Sequence, residues 1–133
     1  MEKQFVIQLD NYPGELAHLA RALGQRGVNI THITCAGAGP IACAMVTTDD
    51  EIAEDVLKTL GHDYLEGQTV VVDVLDKPGG FADVAEQLTA GGVNILGTMV
   101  VGRREGIMEM AYAVDDAEKA REIVPKAALV NIR

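Results

Sequence analysis

The segment NYPGELAHLARALGQRGVNI at residues 11–30 recurs as DKPGGFADVAEQLTAGGVNI at residues 76–95. At this common offset of 65, 9 of the 20 positions are identical, among them the Pro-Gly pair and the whole Gly-Val-Asn-Ile run. Chance supplies shared alanines and a leucine. It does not supply two fixed punctuation marks at one offset, so we read an internal duplication, which constrains the fold more than any other property of the chain.

Both halves follow one plan. Residues 4–9 alternate as a strand with Phe5, Ile7 and Leu9 on one face, and residues 70–74 place Val70, Val72 and Val74 likewise. A Pro-Gly turn opens a helix in each half, where proline's missing N–H loses no bond. Leu16, Leu19, Ala20 and Leu23 recur at helical spacing, as do Phe81, Val84, Ala85 and Leu88. Gly27 and Gly92 stand where a left-handed residue ends a helix. Second strands are expected over residues 29–35 and 94–101, and third strands over 41–47 and 107–114, joined by hairpins. Asp49-Asp50 and Asp115-Asp116 open second helices, with stripes Ile52, Val56, Leu57, Leu60 and Ala117, Ala120, Ile123, Val124. Fourth strands are expected near residues 62–66, running almost directly into 68–75, and over 128–132.

The order β-α-β-β-α-β, twice, predicts an α+β fold of tandem ferredoxin-like modules, residues 1–66 and 67–133. Each has an antiparallel sheet with both helices on one face. A unit this small has a thin core and gains from pairing side by side with another unit or another chain. Val6, Ile33, Val71, Leu75, Met108, Met110 and Tyr112 are expected on the second sheet face.

Composition narrows the function. The chain is 133 residues with a net charge of -9, which disfavours direct nucleic-acid binding. The apolar runs are too short to cross a membrane. Cys35 and Cys43 flank a hairpin, can face the same side of it without standing directly opposite, and read as small buried hydrophobes. Two cysteines and an N-terminus without an apolar signal core fit a cytoplasmic protein. His18, His32 and His62 lack metal-ligand spacing, and no cofactor is expected. Serine is absent, and no acid, base or nucleophile forms a catalytic constellation, so no enzyme is expected.

The paired signatures, Asn11-Tyr12-Pro13-Gly14 with Gly27-Val28-Asn29-Ile30 and Asp76-Lys77-Pro78-Gly79 with Gly92-Val93-Asn94-Ile95, resemble the ACT domain family. The whole chain looks like the small stand-alone proteins made of two ACT modules. The resemblance implies a regulatory protein that binds a free amino acid, or a similar small metabolite, where modules pair. It implies a homodimer, with a metabolic enzyme or regulator as a possible partner. It also implies that asparagines matching Asn11 and Asn29 contact the ligand's amino and carboxylate groups.

The residues add their own chemistry. Backbone N–H groups at Gly14, Glu15 and Leu16, and at Gly79, Gly80 and Phe81, open the first helices and suit a small carboxylate. Asn11 and Asn29 lie toward opposite ends of one helix, so a single module does not unite them. In the second half Asp76 replaces the amide of Asn11 while Asn94 is kept. A carboxylate accepts from an ammonium but repels a carboxylate, so the Asn11 site is the preferred one. The competing explanation is structural: an asparagine after a helix-ending glycine tolerates the left-handed backbone and bonds it locally. The competing function is a regulatory or assembly subunit that works by protein contact without a ligand.

Overall fold

The computed structural model describes residues 3–124. The chain divides into two compact units, Met1–Glu66 and Gly67–Arg133. Unit 1 runs β1 (Lys3–Asp10), α1 (Glu15–Gln25), β2 (His32–Ala38), β3 (Ile41–Thr48) and α2 (Ile52–Leu60), and ends in the start of β4 (Tyr64–Leu75). Unit 2 takes the rest of β4, then α3 (Gly80–Ala90), β5 (Ile95–Arg104), β6 (Ile107–Val114) and α4 (Ala117–Ile123). The fourth strand expected at residues 128–132 lies outside the described residues.

In unit 1 the strand order is β2-β3-β1-β4. β1 pairs antiparallel with β3 from Lys3↔Thr48 to Asp10↔Ile41, and β2 flanks β3 from His32↔Thr47 to Ala38↔Ile41. In unit 2 the order is β4-β6-β5, with Gln68↔Val114 to Leu75↔Ile107 on one side of β6. This is the ferredoxin-like arrangement, with a long strand where the sequence suggested two strands almost touching.

Side-chain alternation decides which face is covered. Phe5, Ile7 and Leu9 of β1 stand beside Ala42, Ala44 and Val46 of β3, and Leu19, Leu23, Val56 and Leu57 of the helices close over them. Unit 2 repeats this with Val70, Val72 and Val74, then Val84, Leu88, Ala117, Ala120 and Val124. Each large side chain so buried contributes on the order of 1.5–3 kcal/mol, which is what holds helices this short in place.

Four residues assigned to the second face belong to the helix-covered side. Met110 and Tyr112 are in the unit 2 core and Met108 packs against it, because the register sets them opposite Val72, Val70 and Val74. Ile33 pairs with core residue Val46, yet remains 44% exposed on the edge strand. Val6, Val71 and Leu75 do face the other way, as alternation with the core residues of their strands requires.

The cysteines also depart from expectation. Both are exposed thiols. Cys35 pairs with Ala44, a core position, whereas Cys43 pairs with Ala36 and Gln8, so the two point to opposite faces. Among the described residues β2 pairs with β3 alone, and Cys35 on this edge strand is exposed. The first-turn residues Leu16 and Phe81 of the expected apolar stripes are 38% and 41% exposed. Asp116 caps α4 by accepting from the Lys119 N–H, and Asp50 Oδ1 accepts from the Ile52 N–H at 2.9 Å, so acidic residues do open the second helices.

Candidate functional site

The turn after the first strand has one design in both units. In unit 1 the Tyr12 N–H donates to the Asp10 carbonyl, and the Asn11 N–H donates to the Pro40 carbonyl in the β2–β3 hairpin at 3.0 Å. In unit 2 the Lys77 N–H donates to Leu75 and the Asp76 N–H to Gly106 at 3.1 Å. The chain then turns at Gly14 or Gly79, with φ of 96° and 85°, before the helix starts. Only glycine holds this left-handed backbone without a Cβ penalty, which explains the repeated Pro-Gly pair.

The helix starts are partly closed already. The Glu15 N–H donates to Tyr12 at 3.4 Å and the Gly80 N–H to Lys77 at 3.0 Å, while the His18 and Asp83 N–H groups reach Gly14 and Gly79. Helical geometry therefore leaves the N–H groups of Leu16 and Ala17, or of Phe81 and Ala82, for an outside acceptor. The Glu15 side chain turns to Tyr12, whose phenol is raised above its ordinary value by that hydrogen bond and by Glu15's charge.

Asn11 and Asp76 occupy the same place with different company. The Asn11 amide lies against Gly37 of β2, and its Nδ2 donates to the Gly39 carbonyl at 2.9 Å. That fixes the amide with one donor used and its Oδ1, an acceptor, close to Gly37. The aromatic ring of Tyr12, 59% exposed, stands next to it in sequence. In unit 2, Arg103 Nη1 donates to Asp76 Oδ2 at 2.8 Å, and Arg104 engages Asp73 and lies 3.8 Å from Glu109. Gln8 and Cys43 stand where Asp73 and Glu109 do in the other unit, so the charges are confined to unit 2. Both members of the Arg103–Asp76 pair are half exposed, and Arg103→Ala is expected to change unfolding free energy by no more than about 1 kcal/mol in a denaturant titration.

Asn29 and Asn94 sit at the other end of their units. Asn29 is exposed and lines an open depression of about 500 Å³ with Gly27, Thr48, Asp49, Asp50 and Glu51. The Asn94 N–H donates to Asp115 Oδ1 at 3.0 Å, and the Asp115 N–H donates back to the Asn94 carbonyl. Thus neither unit joins its two signature residues. Sequence reasoning missed Gly37, whose lack of a side chain makes room for the Asn11 amide, and allowed Arg103 a salt bridge without naming Asp76 as its partner. A second depression of about 180 Å³ flanks the α1 start, lined by Gln8, Leu9, Asp10, Glu15, Gly61, His62 and Asp63.

Similar architectures exist among solved structures. Protein BT0572 from Bacteroides thetaiotaomicron aligns with a TM-score of 0.71 and 20% identity, over 98% of this chain and 90% of that one. The regulatory subunit of aspartate kinase from Thermus flavus gives a TM-score of 0.69 and 19% identity, over 96% and 92%. The fold is ACT-like. Aspartate kinase from Clostridium acetobutylicum, an allosteric enzyme, aligns with a TM-score of 0.65 and 16% identity over 96% of this chain but only 33% of its own. This chain thus matches one part of that enzyme. No family model matches the sequence, and no curated protein does. Among the described residues no group of three His, Cys, Asp or Glu side chains can hold a metal ion, and no helix is long and apolar enough to cross a membrane.

Proposed function

We propose that the chain is a non-enzymatic tandem ACT-domain protein that senses a free amino acid at the Asn11 turn of unit 1. The observation that carries this reading is the anchored Asn11 amide beside a helix start. Its Oδ1 accepts from the ligand's ammonium, and the Leu16 and Ala17 N–H groups, at the positive end of α1, donate to the carboxylate. In unit 2 the Arg103 guanidinium already holds Asp76, where the ligand's ammonium would go, so that turn is structural.

A second copy of the chain completes the site. Among the described residues β2 is bonded on one side only, and from Ile33 to Ala38 every residue is exposed, with no charge, proline or bulge. Such an edge accepts another strand. In unit 2 the edge strand β5 is guarded by two register shifts and by Arg103 and Arg104. Two β2 strands paired antiparallel about a two-fold axis bring the Asn29 end of one copy beside the Asn11 end of the other. The partner's Asn29 then reaches the ligand across a continuous sheet. The carboxylates of Asp10, Glu15 and Asp63 beside α1 disfavour a ligand whose own side chain is acidic.

A thermal-shift screen of free amino acids, followed by calorimetry, tests this. One or a few neutral or basic amino acids should stabilise the protein saturably, with aspartate and glutamate inert. Asn29→Ala should weaken binding at least tenfold and leave the fold intact. Absence of any amino-acid response below about millimolar, or a strict monomer at tens of micromolar, refutes the reading. The open β2 edge also favours one alternative, a regulatory or assembly subunit for a metabolic enzyme or regulator. It predicts a stable heteromeric complex and no ligand response.

A further inference from the structure

Unit 2 carries two buried hydroxyls that its fold does not require. Thr98 of β5 and Tyr112 of β6 are direct cross-strand partners on the helix-covered side. Thr98 Oγ1 and the Tyr112 phenol oxygen are both buried, and among the described residues neither has a hydrogen-bond partner. Tyr112 is 0% exposed. An unsatisfied buried hydroxyl costs on the order of 1–3 kcal/mol. The same cross-strand pair in unit 1 is Ile33 and Val46, so an apolar pair serves the architecture. The hydroxyls are therefore a local addition against stability, the kind of departure that marks a functional place.

A surface ring covers Tyr112. Phe81, in the first turn of α3, stacks on Tyr112 with ring centroids 6.1 Å apart and planes 18° apart, while 41% of it stays exposed. The core cluster that holds Tyr112 also holds Val70, Val72, Val84 and Met110, none of them charged. Burial pushes the Tyr112 phenol up to about 12, so it is a neutral donor at physiological pH.

We propose that unit 2 has its own ligand site at Tyr112 and Thr98, beneath Phe81, for a small uncharged planar molecule that carries one hydrogen-bonding oxygen. The flat body replaces the Phe81 ring on the face of Tyr112. Its oxygen accepts from the phenol and exchanges a hydrogen bond with the Thr98 hydroxyl. A charged ligand is excluded, because this core offers no counter-charge to offset its desolvation. The site is independent of the amino-acid site at Asn11.

Phenol is the probe, with toluene as the partner that lacks the oxygen. Titration of isotopically labelled full-length protein should give saturable chemical-shift changes at Thr98, Phe81 and Tyr112 with phenol. Free amino acids should leave these resonances unmoved. Thr98→Val and Tyr112→Phe should each fold, raise the melting temperature, and weaken phenol at least tenfold, with toluene binding kept or improved. Two results would overturn the proposal. One is no saturable response at these residues, as when water alone satisfies the hydroxyls. The other is equal phenol affinity in the wild type and both variants.

Discussion

Gly80→Ala is expected to unfold unit 2. A Cβ at this buried position would stand 1.9 Å from the Leu75 carbonyl oxygen and 3.0 Å from its carbon. Both are backbone atoms, so no side chain can rotate away. The turn cannot widen freely either, because the Gly80 N–H is bonded to Lys77 and the Lys77 N–H to Leu75. Overpacking an ordinary core costs about 1–3 kcal/mol, and a fixed backbone clash lies at or above that range. A unit of this size has little stability to lose. Gly79→Ala offers a comparison: nothing lies within 4 Å of its Cβ position, so only the left-handed φ of 85° opposes it. That costs roughly 1–2 kcal/mol. Chemical denaturation followed at Tyr112 and Phe81 for unit 2, and at Phe5 and Tyr64 for unit 1, separates the two effects. A loss below about 1 kcal/mol for Gly80→Ala would show that the turn relaxes. Unit 1 has Glu15 at the matching position, with its N–H reaching Tyr12 at a longer 3.4 Å, so its turn already admits a side chain.

The letters show Glu15 against Gly80, but not the backbone clash that a side chain would meet in unit 2. The repeat set element order, the alternation of Phe5, Ile7 and Leu9, and the Pro-Gly turns, because these depend on neighbours in sequence. The faces of Met110 and Tyr112 depend instead on register with β4, and a strand apolar on both faces does not declare its parity. Cys35 looked like a core residue, and it is exposed only because β2 is an edge. At the candidate site, the substitution of Asp76 for the amide was legible, whereas its capture by Arg103 was not. Arg103 is 27 residues away in sequence, and its guanidinium is one of several in the chain. Gly37 hid in the same way. It reads as part of a flexible hairpin, while its role is to leave space.

Gly37→Ala is expected to abolish the amino-acid response and spare the fold. A Cβ there would lie 2.6 Å from Asn11 Oδ1 and 2.7 Å from both Cγ and Nδ2. The obstructed group is the far end of a side chain, so Asn11 can rotate out, lose its bond to Gly39 and relieve the clash. Gly37 sits in extended backbone on an exposed strand, where alanine is tolerated and lowers the entropy of the unfolded chain. The lost Asn11 bond is solvent-exposed and contributes about 0.5–1.5 kcal/mol. Net stability should therefore move by no more than about 1 kcal/mol, while the ammonium acceptor leaves its place beside α1. Calorimetry with the amino acid found by screening should show at least a tenfold weaker Kd, and Asn11→Ala should match it. The two changes together should be no worse than either alone, because both remove one positioned oxygen. If Gly37→Ala binds as tightly as the wild type, the position of Asn11 is irrelevant to the ligand. If it binds weakly but Asn11→Ala does not, the edge of β2 matters for pairing rather than for the amide, and solution mass decides that point directly.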